Sequence, residues 1–233
     1  MALFYVPDIT ESWELSEEEA AHAIRVLRLS VGSELEITDG KGNLYRSVIS
    51  SIAGKHCYVE AKEVVEMKKG WSGNIHIAVA PTKNMDRMEW LAEKATEVGL
   101  DALTFLNCRF SERKVVKNER VERIVVSAMK QSLKYRKPVV EEMTDFKKFI
   151  SAERPGAKYI AHCYDGERLS LKDIHPAGED ATILIGPEGD FSPEEVRMAI
   201  EAGYKPVSLG NSRLRTETAA LMACHILMLK NEL

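Results

Sequence analysis

The sequence has no long apolar run. Its longest stretches, Ile75 to Pro81 and Ala181 to Ile185, have strand length and fall short of the roughly 20 residues a membrane helix needs. Its four cysteines, Cys57, Cys108, Cys163 and Cys224, are scattered. No C-x-x-C pair occurs and no His stands at metal-ligand spacing, which argues against zinc or any other metal and for reduced thiols. The opening residues, Met-Ala-Leu-Phe-Tyr-Val-Pro, lack a charged region followed by a long apolar one, so the expected compartment is the cytoplasm, with no membrane partner. Neither G-x-x-x-x-G-K-[ST] nor G-x-G-x-x-G is present, which removes a phosphate loop, a dinucleotide fingerprint and, with them, a nucleotide hydrolase. Internal repeats and low-complexity segments are also missing.

The 233 residues are 45% hydrophobic and 29% charged, enough to bury a sizeable core in one large domain or two small ones. A net charge of −4 hides an asymmetry: between Asn107 and Pro138, ten Lys or Arg stand against three Glu. Such a stripe can grip a phosphate backbone, or it can be a solvated helix face. Arg109, Arg113, Arg120, Arg123, Lys130 and Lys134 carry the first reading. Arg120, Arg123, Lys130 and Lys134 follow at steps of three, seven and four, along one side of a helix whose Val121, Ile124, Val125 and Ala128 face a core.

The hydrophobic pattern predicts two regions. Residues 1–70 read as a small β-rich unit, with strands at Leu3–Val6, Glu34–Thr38, Leu44–Ser51 and His56–Ala61. Ser16-Glu17-Glu18-Glu19 is a capping box that opens a helix to about Leu27, and Asp39-Gly40 makes a turn. The linker falls at Lys68–Gly73. Residues 71–233 alternate strands (Ile75–Ala80, Ala102–Leu106, Lys158–Cys163, Ala181–Ile185, Lys205–Leu209) with helices (Asn84–Val98, Asn118–Tyr135, Asp145–Ala152, Ser192–Gly203, and Glu217 to the end). That alternation implies an α/β fold with a mostly parallel sheet covered on both faces.

Ligands of open α/β sheets bind beyond the carboxyl ends of the strands. Two strand ends lead into unusual loops, Ile185-Gly186-Pro187-Glu188-Gly189-Asp190-Phe191-Ser192 and Leu209-Gly210-Asn211-Ser212-Arg213-Leu214-Arg215-Thr216-Glu217-Thr218-Ala219. Gly186, Gly189 and Gly210 allow positive φ and close approach to a ligand, although either loop alone could be a plain turn. Arg215 and Glu217 open the last helix. They read either as a surface pair on the helix dipole or as charges at the mouth of a pocket.

These two loops resemble the signature segments of the 16S ribosomal RNA uridine N3-methyltransferase family (RsmE), in the SPOUT superfamily of knotted methyltransferases. Two further elements match in order: His22-Ala23-Ile24-Arg25-Val26-Leu27-Arg28 is similar to the family's His-x-x-x-Val-Leu-Arg, and Lys83–Glu97 is similar to its first catalytic-domain helix. The resemblance covers nearly the whole chain. It implies a PUA-like RNA-binding domain over 1–70, a trefoil-knotted methyltransferase domain over 71–233, S-adenosylmethionine as cofactor, and a homodimer acting on 16S ribosomal RNA or the small subunit. Carried over by position, Leu184, Ile185, Gly186, Pro187, Glu188 and Gly189 match the first cofactor loop. Leu209, Gly210, Leu214, Arg215, Thr216, Glu217, Thr218 and Ala219 match the second. Arg25, Arg28 and Arg213 join the RNA-binding candidates. The sequence departs from the family at Ser212-Arg213, where Arg-Ile is usual, at Lys130, where Glu is usual, and at Asp190, where Gly is usual.

The implied reaction must orient N3 of uracil toward a sulfonium methyl and remove a weakly acidic proton. A cation near the uracil carbonyls stabilises the developing anion, a role that falls to Arg215. Glu217 either accepts the proton or holds Arg215. N3 lies on the pairing edge, so the uridine must be unpaired or flipped out. Other residues carry plainer readings: His22 as structural or an RNA contact, and Trp90, Met85, Met88, Met198, Met222 and Met228 as core filling. Competing readings are a SPOUT enzyme acting on a tRNA base or a ribose 2′-hydroxyl, and a non-catalytic RNA-binding assembly factor. On the phosphate-gripping reading, charge reversal at Arg120 and Arg123 weakens RNA binding and flattens its salt dependence with cofactor affinity unchanged; binding titrations at several ionic strengths that return the parental slope refute it.

Overall fold

The computed structural model describes residues 2–166 and 168–232. The chain divides into two compact units. One takes the residues up to Lys69 together with Val126–Lys137, which lie inside the expected second domain; the other takes Gly70–Val125 and the residues from Pro138 onward.

The first unit contains β1 (Leu3–Tyr5), α1 (Ile9–Ser12), α2 (Glu17–Ala21), β2 (Glu34–Thr38), β3 (Asn43–Ala53) and β4 (His56–Glu66). Its sheet runs β1-β2-β3-β4, with β1 parallel to β2 and the other pairs antiparallel. Alternate strand residues (Leu35, Ile37, Tyr45, Ile49, Cys57, Val59) close a core on Phe4, Ile9 and Leu15. Ser16 caps α2 by accepting the Glu19 N–H at 3.3 Å. The Glu19 carboxylate is used elsewhere than in the expected reciprocal cap: its Oε1 accepts the Tyr5 N–H at 3.1 Å and Lys130 Nζ at 2.6 Å. Lys130, where the resembled family usually has Glu, thus pairs with a buried carboxylate that would otherwise be costly. The helix does not continue as an α-helix to Leu27. His22–Val26 is a π turn closed by Leu27 N–H on His22 O at 3.0 Å, and Arg28 takes a left-handed φ of 56°.

The second unit contains β5 (Ile75–Val79), α3 (Met85–Val98), β6 (Ala102–Asn107), α4 (Asn118–Gln131, whose last residues belong to the first unit), β7 (Val139–Asp145), α5 (Phe146–Ser151), β8 (Ala157–Ala161), β9 (Leu169–Ser170), α6 (Leu171–Ile174), β10 (Ala181–Ile185), α7 (Pro193–Glu201), β11 (Lys205–Ser208) and α8 (Thr216–Asn231). Seven parallel strands run in the order β7-β6-β5-β10-β8-β11-β9. The period-two alternation of strand side chains serves both faces. Ile75, Ile77, Val79, Ile183 and Ile185 meet α3 and α8, whereas Ala78, Ala80 and Leu184 meet α5 and α7. From the end of β11, α8 returns across the sheet to pack on α3, β5 and β10. Leu233, the end of the expected last helix, lies outside the described residues.

Local chemistry sets the boundaries. Asn84 caps α3, Gly99 ends it at φ 146°, and the capping box of Ser192 and Glu195 on α7 is complete. The basic helix stops at Gln131 rather than Tyr135, because Leu133 adopts φ 52° and the Lys134 N–H turns back to Met129 O at 3.0 Å. Lys134 is therefore not on one helical face with Arg120 and Arg123. Trp90, expected in the core, is 41% exposed: α3 buries Met88, Leu91, Ala92 and Ala95, and position 90 lies outside that stripe. Met222 is likewise 37% exposed, while Met88 is fully buried.

Near the amino ends of the strands lies a buried polar chain. Arg154 Nη1 can only donate, so His76 Nδ1, 3.2 Å away, accepts. His76 Nε2 then carries the proton and donates to Thr104 Oγ1 at 2.7 Å, and Thr104 donates to Glu141. Burial above all pushes the His76 pKa down to about 4, against the pull of Glu141 and with the help of Arg154. A His neutral when folded and ordinary when unfolded leaves stability full above about pH 6.5 and erodes it as pH falls toward about 4. His76→Gln should remove up to about one proton from that pH dependence, read by urea unfolding across the window; an unchanged slope would exclude His76 as its source.

Candidate active site

Strand order brings the two glycine loops together. β10 and β11 both pair with β8, so the segments that follow them flank the carboxyl end of β8 from either side. Thr216 Oγ1 donates to Gly186 O at 3.1 Å, a buried bond that ties the second loop to the first. Between them lies a cavity of about 450 Å³, within the range of small-molecule sites. Its walls are Ile185–Asp190, Arg213–Glu217, Ala219, Arg87 from α3, and Ala161 and Cys163 from the end of β8. A smaller cavity of about 100 Å³ shares part of this wall and adds His162, Arg168, Val207–Gly210 and Ser212.

Most of the cofactor-loop candidates line these cavities. Leu184 does not: it is fully buried on the opposite face of the sheet, packed in the α5–α7 core. Thr218 lines neither cavity. Gly186 is favoured by tight packing, since a Cβ there would sit 3.0 Å from Phe191 N and 3.1 Å from the Asp190 carbonyl carbon. Gly210, at φ 131°, is required by its backbone conformation. Glu188 braces the first loop, its Oε1 accepting the Lys83 N–H at 2.9 Å.

The charged pair at the start of α8 is arranged otherwise than the sequence suggested. Arg215 is exposed on the large cavity. Glu217 is buried, and its Oε1 faces Arg87 Nη1 at 3.4 Å. Arg87 was not singled out from the sequence; its place three residues after Asn84, on the strand–helix junction next to the first loop, is the signal that could have found it. Two wall residues hold buried polar atoms with no hydrogen-bond partner, Glu217 Oε2 and His162 Nδ1. Burial, opposed by Asp190, lowers the pKa of His162, which favours the neutral ring.

Asp190 is left-handed, φ 65°, where glycine is favoured. Its carboxylate compensates: Oδ1 accepts the Phe191 N–H at 2.8 Å and Oδ2 accepts the Cys163 N–H at 2.7 Å, pinning the end of β8 to the first loop.

The RNA-binding candidates fall in several places. Arg213 lines both cavities. Arg113 donates to Lys83 O at 2.7 Å, Arg109 faces Glu194 at 3.6 Å, and Arg120 pairs with Glu89 at 2.6 Å while staying 61% exposed. Arg123 is exposed, and its Nε lies 3.3 Å from Glu119 O. In the first unit Arg25 lines a small hollow with Glu17 and Lys55, and Arg28 is exposed. Among the described residues no cluster of His, Cys, Asp and Glu could hold a metal ion, and no helix is long and apolar enough to cross a membrane.

A parallel sheet with a cavity between two loops at its carboxyl edge is an enzyme-like site, and comparison with known proteins defines its class. A family model of the RNA methyltransferase domain matches residues 69–228, and one of the RNA methyltransferase PUA domain matches residues 15–62. The crystal structure of a probable rRNA-methyltransferase from Porphyromonas gingivalis superposes with a TM-score of 0.93 at 45% identity, covering 98% of this chain and 99% of that one. The ribosomal RNA small subunit methyltransferase E of Neisseria gonorrhoeae, solved bound to S-adenosyl methionine, gives 0.85 at 25% identity over 96% and 95%. The protein of that name from Mycobacterium bovis is 32% identical over 95% of this chain and 88% of its own length. The chain belongs to the ribosomal RNA small subunit methyltransferase E family.

Asp190 yields a test. Asp190→Gly relieves the left-handed strain while losing two charge-assisted bonds, so stability should stay near the parent; Asp190→Ala keeps the strain and loses the bonds, and should be about 2 kcal/mol less stable. Both should bind cofactor more weakly as the Cys163 segment loosens. Chemical denaturation and calorimetry read the two effects, and an Asp190→Ala protein of parental stability would contradict the compensation.

Proposed function

We propose that this chain transfers the methyl group of S-adenosylmethionine to N3 of a uridine in 16S ribosomal RNA of the small subunit. The observation that carries this reading is the closure of both glycine loops on one cavity through Thr216 and Gly186. The relatives' names support small-subunit ribosomal RNA as the substrate and the cofactor bound in the Neisseria protein supports the methyl donor, while uridine N3 is what the family resemblance implies.

The walls fit that cofactor. Ile185, Leu214 and Ala219 offer apolar surface, Gly186 and Gly210 leave backbone bare, and Glu217 Oε2 and His162 Nδ1 await partners that its hydroxyl and amino groups can provide. Bound there, S-adenosylmethionine supplies an electrophilic methyl on a sulfonium. The rest falls to the chain. Arg215, exposed at the cavity, stabilises the charge that builds on the uracil carbonyl oxygens as N3 releases its proton to water. Glu217, paired with Arg87, lines the pocket and positions the ligand. The RNA backbone is gripped by exposed guanidinium groups: Arg109, Arg123 and Arg213, with Arg25 and Arg28 of the first unit. Such a substrate places the enzyme in the cytoplasm.

The working form is a homodimer. α8 is apolar on nearly every side, which suits a buried helix, yet Leu229 is 52% exposed, as is Met222 to a lesser extent, and Trp90 on the adjoining α3 is exposed too. A second copy of the chain is the partner that covers them; sedimentation returning only monomer would remove this part of the reading.

Incubation with purified small-subunit RNA and labelled cofactor should yield 3-methyluridine, identified by nucleoside mass. A 2′-O-methyl product, or a product on tRNA alone, would replace the substrate assignment. Arg215→Ala should bind cofactor like the parent and turn over about 100-fold or more slowly. Full activity in that variant would take Arg215 out of the chemistry.

A further inference from the structure

Between β6 and α4 the chain exposes an aromatic ring on a loop that is otherwise tightly held. Phe110 is 47% exposed. Its neighbours are fixed: the Arg109 N–H donates to Glu195 Oε1 at 2.8 Å, and the Cys108 N–H to Ser111 Oγ at 3.1 Å. Ser111 is buried, and Arg113 reaches Thr82 O and Lys83 O. The loop packs directly on the first glycine loop, since a Cβ on Gly189 would sit 3.5 Å from Phe110 Cβ. Gly189 in turn lines the large cavity. The loop is net positive, with Arg109, Arg113 and Lys114 against Glu112; the Arg109 guanidinium lies 5.9 Å from the Phe110 ring centre and 3.6 Å from Glu194, and Lys114 donates to Asn107 Oδ1 and Cys108 O. A half-exposed ring on a net-positive loop whose flanking backbone is hydrogen-bonded, next to a ligand cavity, suits an unpaired base, which has a π-face for the ring and a phosphate for the loop's excess positive charge.

We infer that Phe110 is a stacking platform for an unpaired base of the substrate strand, at the target uridine or beside it, and so helps hold the strand open at the cavity. This inference rests on the RNA-methylating reading above. A uridine must leave its pair and its stack before N3 can be reached, and an aromatic ring at the rim restores part of the lost stacking. Phe110 is accordingly a determinant of RNA engagement and not of cofactor binding.

The test uses the full chain and the RNA segment in which the parent enzyme has first been shown to place its methyl group. Phe110→Ala should lower kcat/KM for RNA roughly 5- to 150-fold, the range base–aromatic stacking supports, with cofactor affinity unchanged. Phe110→Trp should restore activity, while Phe110→Leu, apolar but without a π-face, should not. In parallel, 5-iodouridine placed at the target and at each neighbouring position should photo-cross-link to Phe110 from at least one of them. Leucine working as well as phenylalanine, or cross-links that all map to other residues while the parent methylates normally, would overturn the inference. A parent that methylates no RNA would instead sink the reading beneath it.

Discussion

The placement of β8 between β10 and β11 is the constraint on which the site depends. Parallel pairing fixes both neighbours in register with β8, at Ala181 opposite Ala157 and Lys205 opposite Tyr159. Each outer strand must then release its loop at the same edge of the sheet. The hydrogen bond from Thr216 to Gly186 joins those loops at the point where α8 begins. The cavity, the exposure of Arg215 and the clamp of Arg87 on Glu217 all follow from that junction. None of the participating segments could form a pocket alone, because each is a short strand–loop–helix passage whose far wall is supplied by another.

Much of this was legible in the chain. The alternation of apolar strands with capped helices gave the parallel sheet, and the boundaries at Asn84, Gly99, Ser192 and Ile185 reflect capping and turn chemistry that acts within a few residues. The loops could be read because their glycines are local requirements. What escaped was set by distant partners. β7 is a half-exposed edge strand with weak alternation, so Val139–Asp145 carries little periodic signal. Arg87, Cys163 and His162 reach the cavity only through strand order, which no local pattern encodes. Glu217 was read against its chain neighbour Arg215, whereas the fold pairs it with Arg87, 130 positions away.

Two of the departures from the family pattern have physical accounts. Lys130 stands within 2.6 Å of a buried carboxylate, Glu19, so the change of sign at 130 answers a charge elsewhere in the same unit. Asp190 accepts a backbone conformation that glycine would take freely, and its carboxylate bridges two loops in return. Nothing in the structure explains Ser212 in place of an arginine; the neighbouring Arg213 does line both cavities.

The first unit is not a contiguous stretch of chain. It includes Val126–Lys137, a segment that also contributes the Tyr135 carbonyl accepting the Thr38 hydroxyl and the Arg136 guanidinium on Lys41 O. A gene fragment ending near residue 70 would strand Glu19 in an apolar interior without its ammonium partner and leave the Gly40–Gly42 turn half bonded. Residues 1–69 alone therefore lack part of the compact unit they belong to. An exchange of the first 69 residues between relatives has to carry Val126–Lys137 with it if these contacts are to survive.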